Sequence, residues 1–271
     1  MKIGISAFAW TSDFQIRHLE VLPVMEEVGF DALEIPMFAP ERLPIDAIRR
    51  AFEASALDCT VCAILPANMN PISPSQESRH RATDHLKNCI DAAACMGAKV
   101  LAGPLFAPIG YLPEHRPTDE EWEWAVEAFQ AIGGELEAAD MSLAIEPVNR
   151  SETFFLRTAT DAALLCERIG DPRIGVTIDT FHANIEERSI PGAIHALGKR
   201  LRHIHASEND RGVLGSGHIP FDEIMSALKR SEYQGFVTVE GFGYLPVVDC
   251  PGSLWARRDL SPERLAAESY R

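Results

Sequence analysis

The chain has 271 residues and 46% hydrophobic content, enough for one continuous core, so a single domain over 1–271 is the simplest organisation. Its 40 acidic residues against 25 basic ones give a formal charge of −15, and that field repels phosphate backbones and anionic lipid surfaces. Nucleic acid and membrane are therefore excluded as expected partners, and no run reads as a transmembrane span.

Short β-branched or apolar runs alternate with helical patterns along the whole chain. The first strand is KIGISAF from Lys2; Gly4 and Ser6 break its apolar run, so it reads as a strand rather than a secretory signal. Gly29 then follows a helical pattern where a left-handed C-terminal residue is wanted, and ALEIPMF from Ala32 is the second strand. The third, CTVCAIL from Cys59, holds a C-x-x-C pair whose members point to opposite faces of a strand, which argues against a metal or redox role. Cys59, Cys62, Cys89, Cys95 and Cys166 all lie in apolar periodic segments and read as reduced core cysteines of a cytoplasmic protein.

Ser73-Pro-Ser-Gln76 predicts a capping box with proline at the first helical position, and Gly97 the end of that helix. The fourth strand is KVLAGPL from Lys99, followed by a second capping box at Thr118-Asp-Glu-Glu121. SLAIEPV from Ser142, IGVTIDT from Ile174, LRHIHAS from Leu201 and FVTVEGF from Phe236 are the remaining strands; Gly170 ends a helix between the fifth and sixth, and Ser261-Pro262 opens a last helix. Eight strands each followed by a helix predict a (β/α)8 TIM barrel, although an open doubly wound sheet uses the same alternation.

In such a barrel the chemistry sits at the C-terminal strand ends. Strands five to eight are apolar or small until near their ends, where each carries one strong ligand type: Glu146, Asp179, His205 and Glu240, spaced by about one βα repeat. Ala144, Thr177, His203 and Thr238, two places earlier, share their faces. Three of those four are small enough to underlie a metal, and His203 reads as a hydrogen-bonded histidine of the layer below rather than a ligand. Three carboxylates and an imidazole form a hard, anionic site suited to Mn²⁺, with Mg²⁺ or Co²⁺ as alternatives and zinc not excluded. Converging carboxylates raise each other's pKa, so a cation is needed to hold them ionised together.

Glu146-Pro-Val-Asn-Arg150, Asp179-Thr-Phe-His-Ala-Asn-Ile-Glu-Glu187 and His205-Ala-Ser-Glu-Asn-Asp-Arg211 resemble the D-tagatose/D-psicose (D-allulose) 3-epimerase family of the xylose-isomerase-like superfamily. The likeness extends to Gly215-Ser-Gly217 before Phe221-Asp-Glu-Ile224, and to Trp255 with Arg258-Asp-Leu-Ser261. It implies a (β/α)8 barrel, metal ligands at Glu146, Asp179, His205 and Glu240, and sugar-holding groups at Glu152, His182 and Arg211. Taken alone, Glu152 reads equally as a solvated loop carboxylate, His182 as a helix cap and Arg211 as a surface ion pair. The resemblance further implies Glu146 and Glu240 as two proton carriers flanking C3 of a ketose, a sugar as the small-molecule partner, and a homodimer or homotetramer.

The loops Leu65-Pro-Ala-Asn-Met-Asn70 and Gly103–Tyr111, and Pro147, depart from the family's pattern and would surround the far end of the sugar. Phe8, Trp10, Glu34, Phe106 and Phe242 are either pocket walls or packing residues. Competing readings are an aldose–ketose or hydroxypyruvate-type isomerase, and an epimerase of 3-keto sugars or sugar phosphates. For the last, the glycines of 212–217 offer backbone N–H groups to a phosphate, while Glu208 and Asp210 oppose an anion. The charge argues against a DNA-repair endonuclease, and two flanking glutamates argue against a non-catalytic scaffold.

Overall fold

Alternation of side chains along the strands decides the architecture. In the computed structural model, which describes residues 1–242 and 260–270, β1 (Lys2–Ser6), β2 (Ala32–Met37), β3 (Asp58–Ala63), β4 (Val100–Gly103), β5 (Ser142–Ile145), β6 (Ile174–Asp179), β7 (Leu201–Ala206) and β8 (Phe236–Val239) pair in chain order, all parallel. Pairing of β8 with β1 closes the barrel, so the open-sheet alternative is set aside. Trp255, Arg258 and Asp259 lie outside the described residues.

Ile5, Leu33, Ile35, Val61, Leu101, Leu143, Val176 and Ile204 belong to one buried cluster with residues of the surrounding helices, such as Met25, Ile48, Leu86, Phe129, Leu165 and Leu228. The alternate residues point inward. Ala32, Val100, Ala102, Ala144 and Phe236 form a separate small cluster that fills the barrel floor. Because most of that floor is alanine, a polar layer fits above it: Thr60, Thr177, His203 and Thr238 are wholly buried.

The helices are α1 (Val21–Val28), α2 (Ile45–Glu53), α3 (Gln76–Cys95), α4 (Asp119–Gln130), α5 (Gly133–Ala138), α6 (Ala159–Ile169), α7 (Thr180–Glu186), α8 (Ile190–Leu197), α9 (Phe221–Arg230) and α10 (Pro262–Ser269). The box at Thr118 forms as expected, Gly29 and Gly170 close α1 and α6 with positive φ, and Ser261 caps α10. The box at Ser73 does not form. Ser75 is the N-cap of α3, accepting from the Ser78 N–H, while Ser73 turns the chain by accepting from Ser75 N–H, so Pro74 lies before the helix rather than in it. Cys95, at the solvent side of the last turn of α3, is exposed, unlike the other four described cysteines. Among the described residues no helix is long and apolar enough to cross a membrane.

One glycine fixes how β4 leaves the barrel. Gly103 has φ +132°, and a Cβ there would run into the Ala63 carbonyl of β3. Its own carbonyl accepts the Glu146 N–H at 3.0 Å, so this backbone also holds a strand-end residue of the site. Gly103→Ala is expected to destabilise the protein by about 1–3 kcal/mol or more, through left-handed strain and the clash. A denaturant midpoint equal to wild type would contradict this account.

Candidate active site at the barrel mouth

The ladder hydrogen bonds continue one residue beyond β5 and β8. Glu146 N–H donates to Gly103 and Glu240 N–H to the Ala206 carbonyl at 2.9 Å, placing both carboxylates at the barrel's C-terminal rim. Asp179, the last residue of β6, divides its oxygens between two tasks. Oδ1 caps α7 by accepting from Phe181 N–H at 2.8 Å, and Oδ2 faces the mouth. His205 lies opposite Asp179 in the β6–β7 register and opposite Thr238 in β7–β8.

Ligand atoms of Glu146, Asp179 and His205 come within 4.8 Å of one another. Glu240 does not join that trio. Its Oε2 is instead 2.6 Å from Arg211 Nη1, which also lies 2.7 Å from Asp179 Oδ2 and 2.7 Å from Ser207 Oγ. The guanidinium lies over the rings of Phe181 and Phe242, with centroids 4.2 Å and 4.8 Å from Cζ. Arg211 is therefore buried at the centre of the site and not in a surface ion pair.

His182 and Glu152 are linked through a residue the sequence reading passed over. Asn149 N–H donates to His182 Nδ1 at 3.3 Å, and Asn149 Nδ2 lies 2.9 Å from Nδ1 while donating to Glu152 Oε1 at 2.9 Å. Two donors on Nδ1 leave the proton of a neutral ring on Nε2, where Asp179 Oδ2 at 3.7 Å is the acceptor it faces and Arg211 Nη2 at 3.3 Å is a second donor that cannot accept it. The paired glutamates after α7's first turn are structural: Glu186 binds Arg150, and Glu187 accepts from Ala159 N–H at the start of α6.

Glu34 was missed more completely. It is neither wall nor ordinary packing but the floor of the site, wholly buried, with Oε2 2.9 Å from His203 Nε2 and Oε1 3.1 Å from His205 Nε2, while Thr60 Oγ1 donates to Oε2. His203 thus belongs to the layer below the ligands, as expected. The available signal was a lone carboxylate inside an otherwise apolar strand, where an unpaired charge is not tolerated.

The electrostatics follow from one shortage, too little positive charge for the buried carboxylates. Burial works against ionising Glu34, yet His205 and His203 hold it well below the usual carboxylate range. Burial likewise opposes Asp179, but Arg211, His182 and His205 hold it down to about 2. Glu240 is the carboxyl left over: burial pushes it up to about 8, with His205 and Arg211 opposing and the charges of Asp179 and Glu146 adding. Burial disfavours a charged His205, but Glu34, Glu146 and Glu240 outweigh it and raise its pKa well above the ordinary value.

Neither ring nitrogen of His205 makes a well-directed hydrogen bond, although Nδ1 is 3.3 Å from Glu146 Oε1. Orphaned imidazole nitrogens beside converging carboxylates fit a hard divalent cation, which would bring the charge that the His205 proton otherwise supplies.

The mouth opens into a cavity of about 960 Å³. Glu146, Glu152, His182, Arg211 and Glu240 line one side, while Phe8, Phe242 and the 65–67 and 104–109 loops bring apolar groups to it. Trp10 and Phe106 are packing residues, the first against Leu260 and Leu265 and the second stacked near Phe155.

A family model described as Xylose isomerase-like TIM barrel matches residues 22–268. The chain belongs to that family. An L-ribulose 3-epimerase of Mesorhizobium japonicum is 31% identical over 89% of this chain and 81% of that protein. A probable ketose 3-epimerase of Synechocystis sp. is 28% identical and covers 100% of this chain and 95% of its own length. The solved structure of an L-ribulose 3-epimerase, 28% identical, superposes with a TM-score of 0.91 over 99% of this chain and 91% of the other. Within the xylose isomerase-like barrels, this protein is an enzyme of the epimerase/isomerase class.

Two titrations of opposite sign set a stability window for the ion-free protein. Asp179, lowered from 3.8 to about 2, contributes stability that is present above 3.8 and lost as pH falls through about 2. Glu240, raised from 4.5 to about 8, contributes stability that is present below 4.5 and lost as pH rises through about 8. Chelator-treated protein should therefore lose melting temperature between pH 4.5 and pH 8, and Glu240→Gln should flatten that alkaline limb. A limb as steep in the variant would refute the assignment.

Proposed function

We propose that this protein is a divalent-metal-dependent ketose 3-epimerase that interconverts free ketoses by moving a proton at C3 through an enediolate. The observation that carries this reading is the placement of Glu146 and Glu240. They follow β5 and β8, three strands apart on an eight-strand ring, and both line the same cavity. Inversion at carbon needs a proton taken from one face and returned to the other, and two carboxyls approaching from different arcs of the rim suit that demand. The names of the relatives, ketose and L-ribulose 3-epimerases, support it.

Glu146, Asp179, His205 and Glu240 would hold the ion, most naturally Mn²⁺, which supplies Lewis-acid stabilisation of the developing oxyanion. Glu240, whose Oε2 accepts from Arg211, would join the other three only by releasing that contact. Glu146 and Glu240, on different arcs of the rim, would act as the two proton carriers, one taking the C3 proton and the other returning it. Arg211 and His182, 3.3 Å apart, present N–H groups to the O1–O2 end of the sugar, where they orient the ketone and offset its charge. Glu152 acts through Asn149, fixing the tautomer and tilt of His182. The apolar loops after β3 and β4 would contact the far end of the sugar and help exclude water.

Mn²⁺-loaded protein incubated with a panel of ketoses in D₂O should place deuterium at C3, read by NMR. Label at C1 would make the enzyme an aldose–ketose isomerase, and label at C4 would move the epimerised centre. Glu240→Gln should lower kcat by about 10²–10⁴-fold with the ion still bound. Full turnover in that variant would end the two-carboxyl assignment. His205→Ala or chelation should remove both ion and turnover, and chelator-resistant turnover would end the metal reading.

A further inference from the structure

The barrel mouth holds a buried carboxylate that the proposed chemistry does not use. Glu208, just beyond β7, is wholly buried, and among the described residues no cation pairs with it. Its charge is met by backbone donors alone. Oε1 accepts from the N–H groups of Asn209 at 3.0 Å, His218 at 3.1 Å and Ile219 at 3.1 Å, and Oε2 from Gly215 at 2.9 Å. Converging N–H groups of this kind form an anion cradle, and in (β/α)8 barrels the loop after the seventh strand is a common place for a substrate phosphate. Here the cradle is filled from within. Gly217 is required beside it, because a Cβ at that position would overlap the Glu208 carboxyl and the Asn209 side chain.

The same residue fixes the start of the loop. The Glu208 carbonyl accepts from Arg211 N–H at 3.0 Å, closing a turn in which Arg211 has φ +57°, a left-handed conformation that an arginine adopts only when its surroundings impose it. The carboxylate ties down residues 215, 218 and 219, the carbonyl ties down 211, and the guanidinium is thereby delivered over the rings of Phe181 and Phe242 and onto Asp179 and Glu240.

We propose that Glu208 is a positioning residue that acts through Arg211: as an internal anion it assembles the loop after β7 and sets the guanidinium beside Asp179 and Glu240 at the mouth. The inference rests on the role assigned to Arg211 above. One consequence for substrate is that the cradle's N–H groups are not available to a sugar phosphate.

The test is a double-mutant cycle on the Mn²⁺-loaded enzyme, with kcat and KM measured for a ketose that wild type epimerises. Arg211→Ala and Glu208→Gln should each lower kcat at least about tenfold, and the double variant should fall no further than Arg211→Ala alone. Circular dichroism and Mn²⁺ binding of Glu208→Gln should match wild type. Losses that multiply in full, or wild-type kcat in Glu208→Gln, would overturn the inference. If Glu208→Gln does not fold, Gly217→Ala takes its place in the cycle, since its Cβ displaces the carboxylate without removing charge, and the same two outcomes decide. Wild-type kinetics in Arg211→Ala would instead overturn the reading of Arg211, and the inference with it.

Discussion

Buried negative charge is the constraint on which the rest of this structure depends. Glu34, Glu146, Asp179, Glu208 and Glu240 are each at most 5% exposed, all at one end of a closed barrel. An isolated carboxylate in such surroundings costs several kcal/mol or more, so each must find a partner or keep its proton. Glu34 takes two imidazoles, Asp179 takes a helix N-terminus and a guanidinium, and Glu208 takes four backbone N–H groups. Glu146 and Glu240 are left with the least dedicated support, and these are the two assigned to move a proton. Groups that must change protonation cannot also be the ones most firmly paired.

The division of labour around the ring follows from which strands carry those carboxylates. Of the five, Glu34 alone comes from the first half of the barrel, and it lies a layer lower, beneath the histidines of β7. The upper rim of β1–β4 offers Phe8, Cys62, Pro104 and the residues of the 65–67 loop to the cavity. The polar half therefore faces an apolar half across the mouth. The ketose orientation proposed above, carbonyl end toward β5–β8, would set the reacting carbons beside the charged groups and the distal carbons against the apolar rim.

The period-2 pattern of eight short runs made the barrel legible in the sequence, because each run needed one face for the helices and one for the interior, and nothing else in the chain competed for those faces. Glu146, Asp179, His205 and Glu240 stood out because each is a strong ligand type ending an apolar or small-residue strand. Glu34 did not, since it sits mid-strand between Leu33 and Ile35, where periodicity alone marks it as an inward residue and says nothing of a partner three strands away on the ring. The Asn149 bridge and the guanidinium's capture of Glu240 depend on loops whose shape comes from tertiary hydrogen bonds rather than local pattern. Ser73 and Ser75 show the same limit at smaller scale: both residues suit an N-cap, and the choice between them was made by the turn that Ser73 stabilises ahead of the helix.

One arginine serving two carboxylates explains how chemically similar groups acquire different proton affinities a few ångströms apart. Asp179 is supported from both sides, by the Phe181 N–H on Oδ1 and by Arg211 on Oδ2, and so remains ionised. Glu240 shares the guanidinium, takes a long hydrogen bond from Ser207 Oγ at 3.4 Å and has no backbone donor, so in the ion-free site burial, with the charges of Asp179 and Glu146, outweighs His205 and Arg211 and pushes its pKa up to about 8. Exchanging the roles would require moving the N-cap of α7 to another carboxyl, which the strand-to-helix step at Asp179–Thr180 forbids. In the ion-free site the carboxyl with the raised pKa is therefore the one after β8, because α7 begins at the end of β6. In this barrel, the secondary-structure junctions decide which carboxyl is held ionised as much as the side chains do.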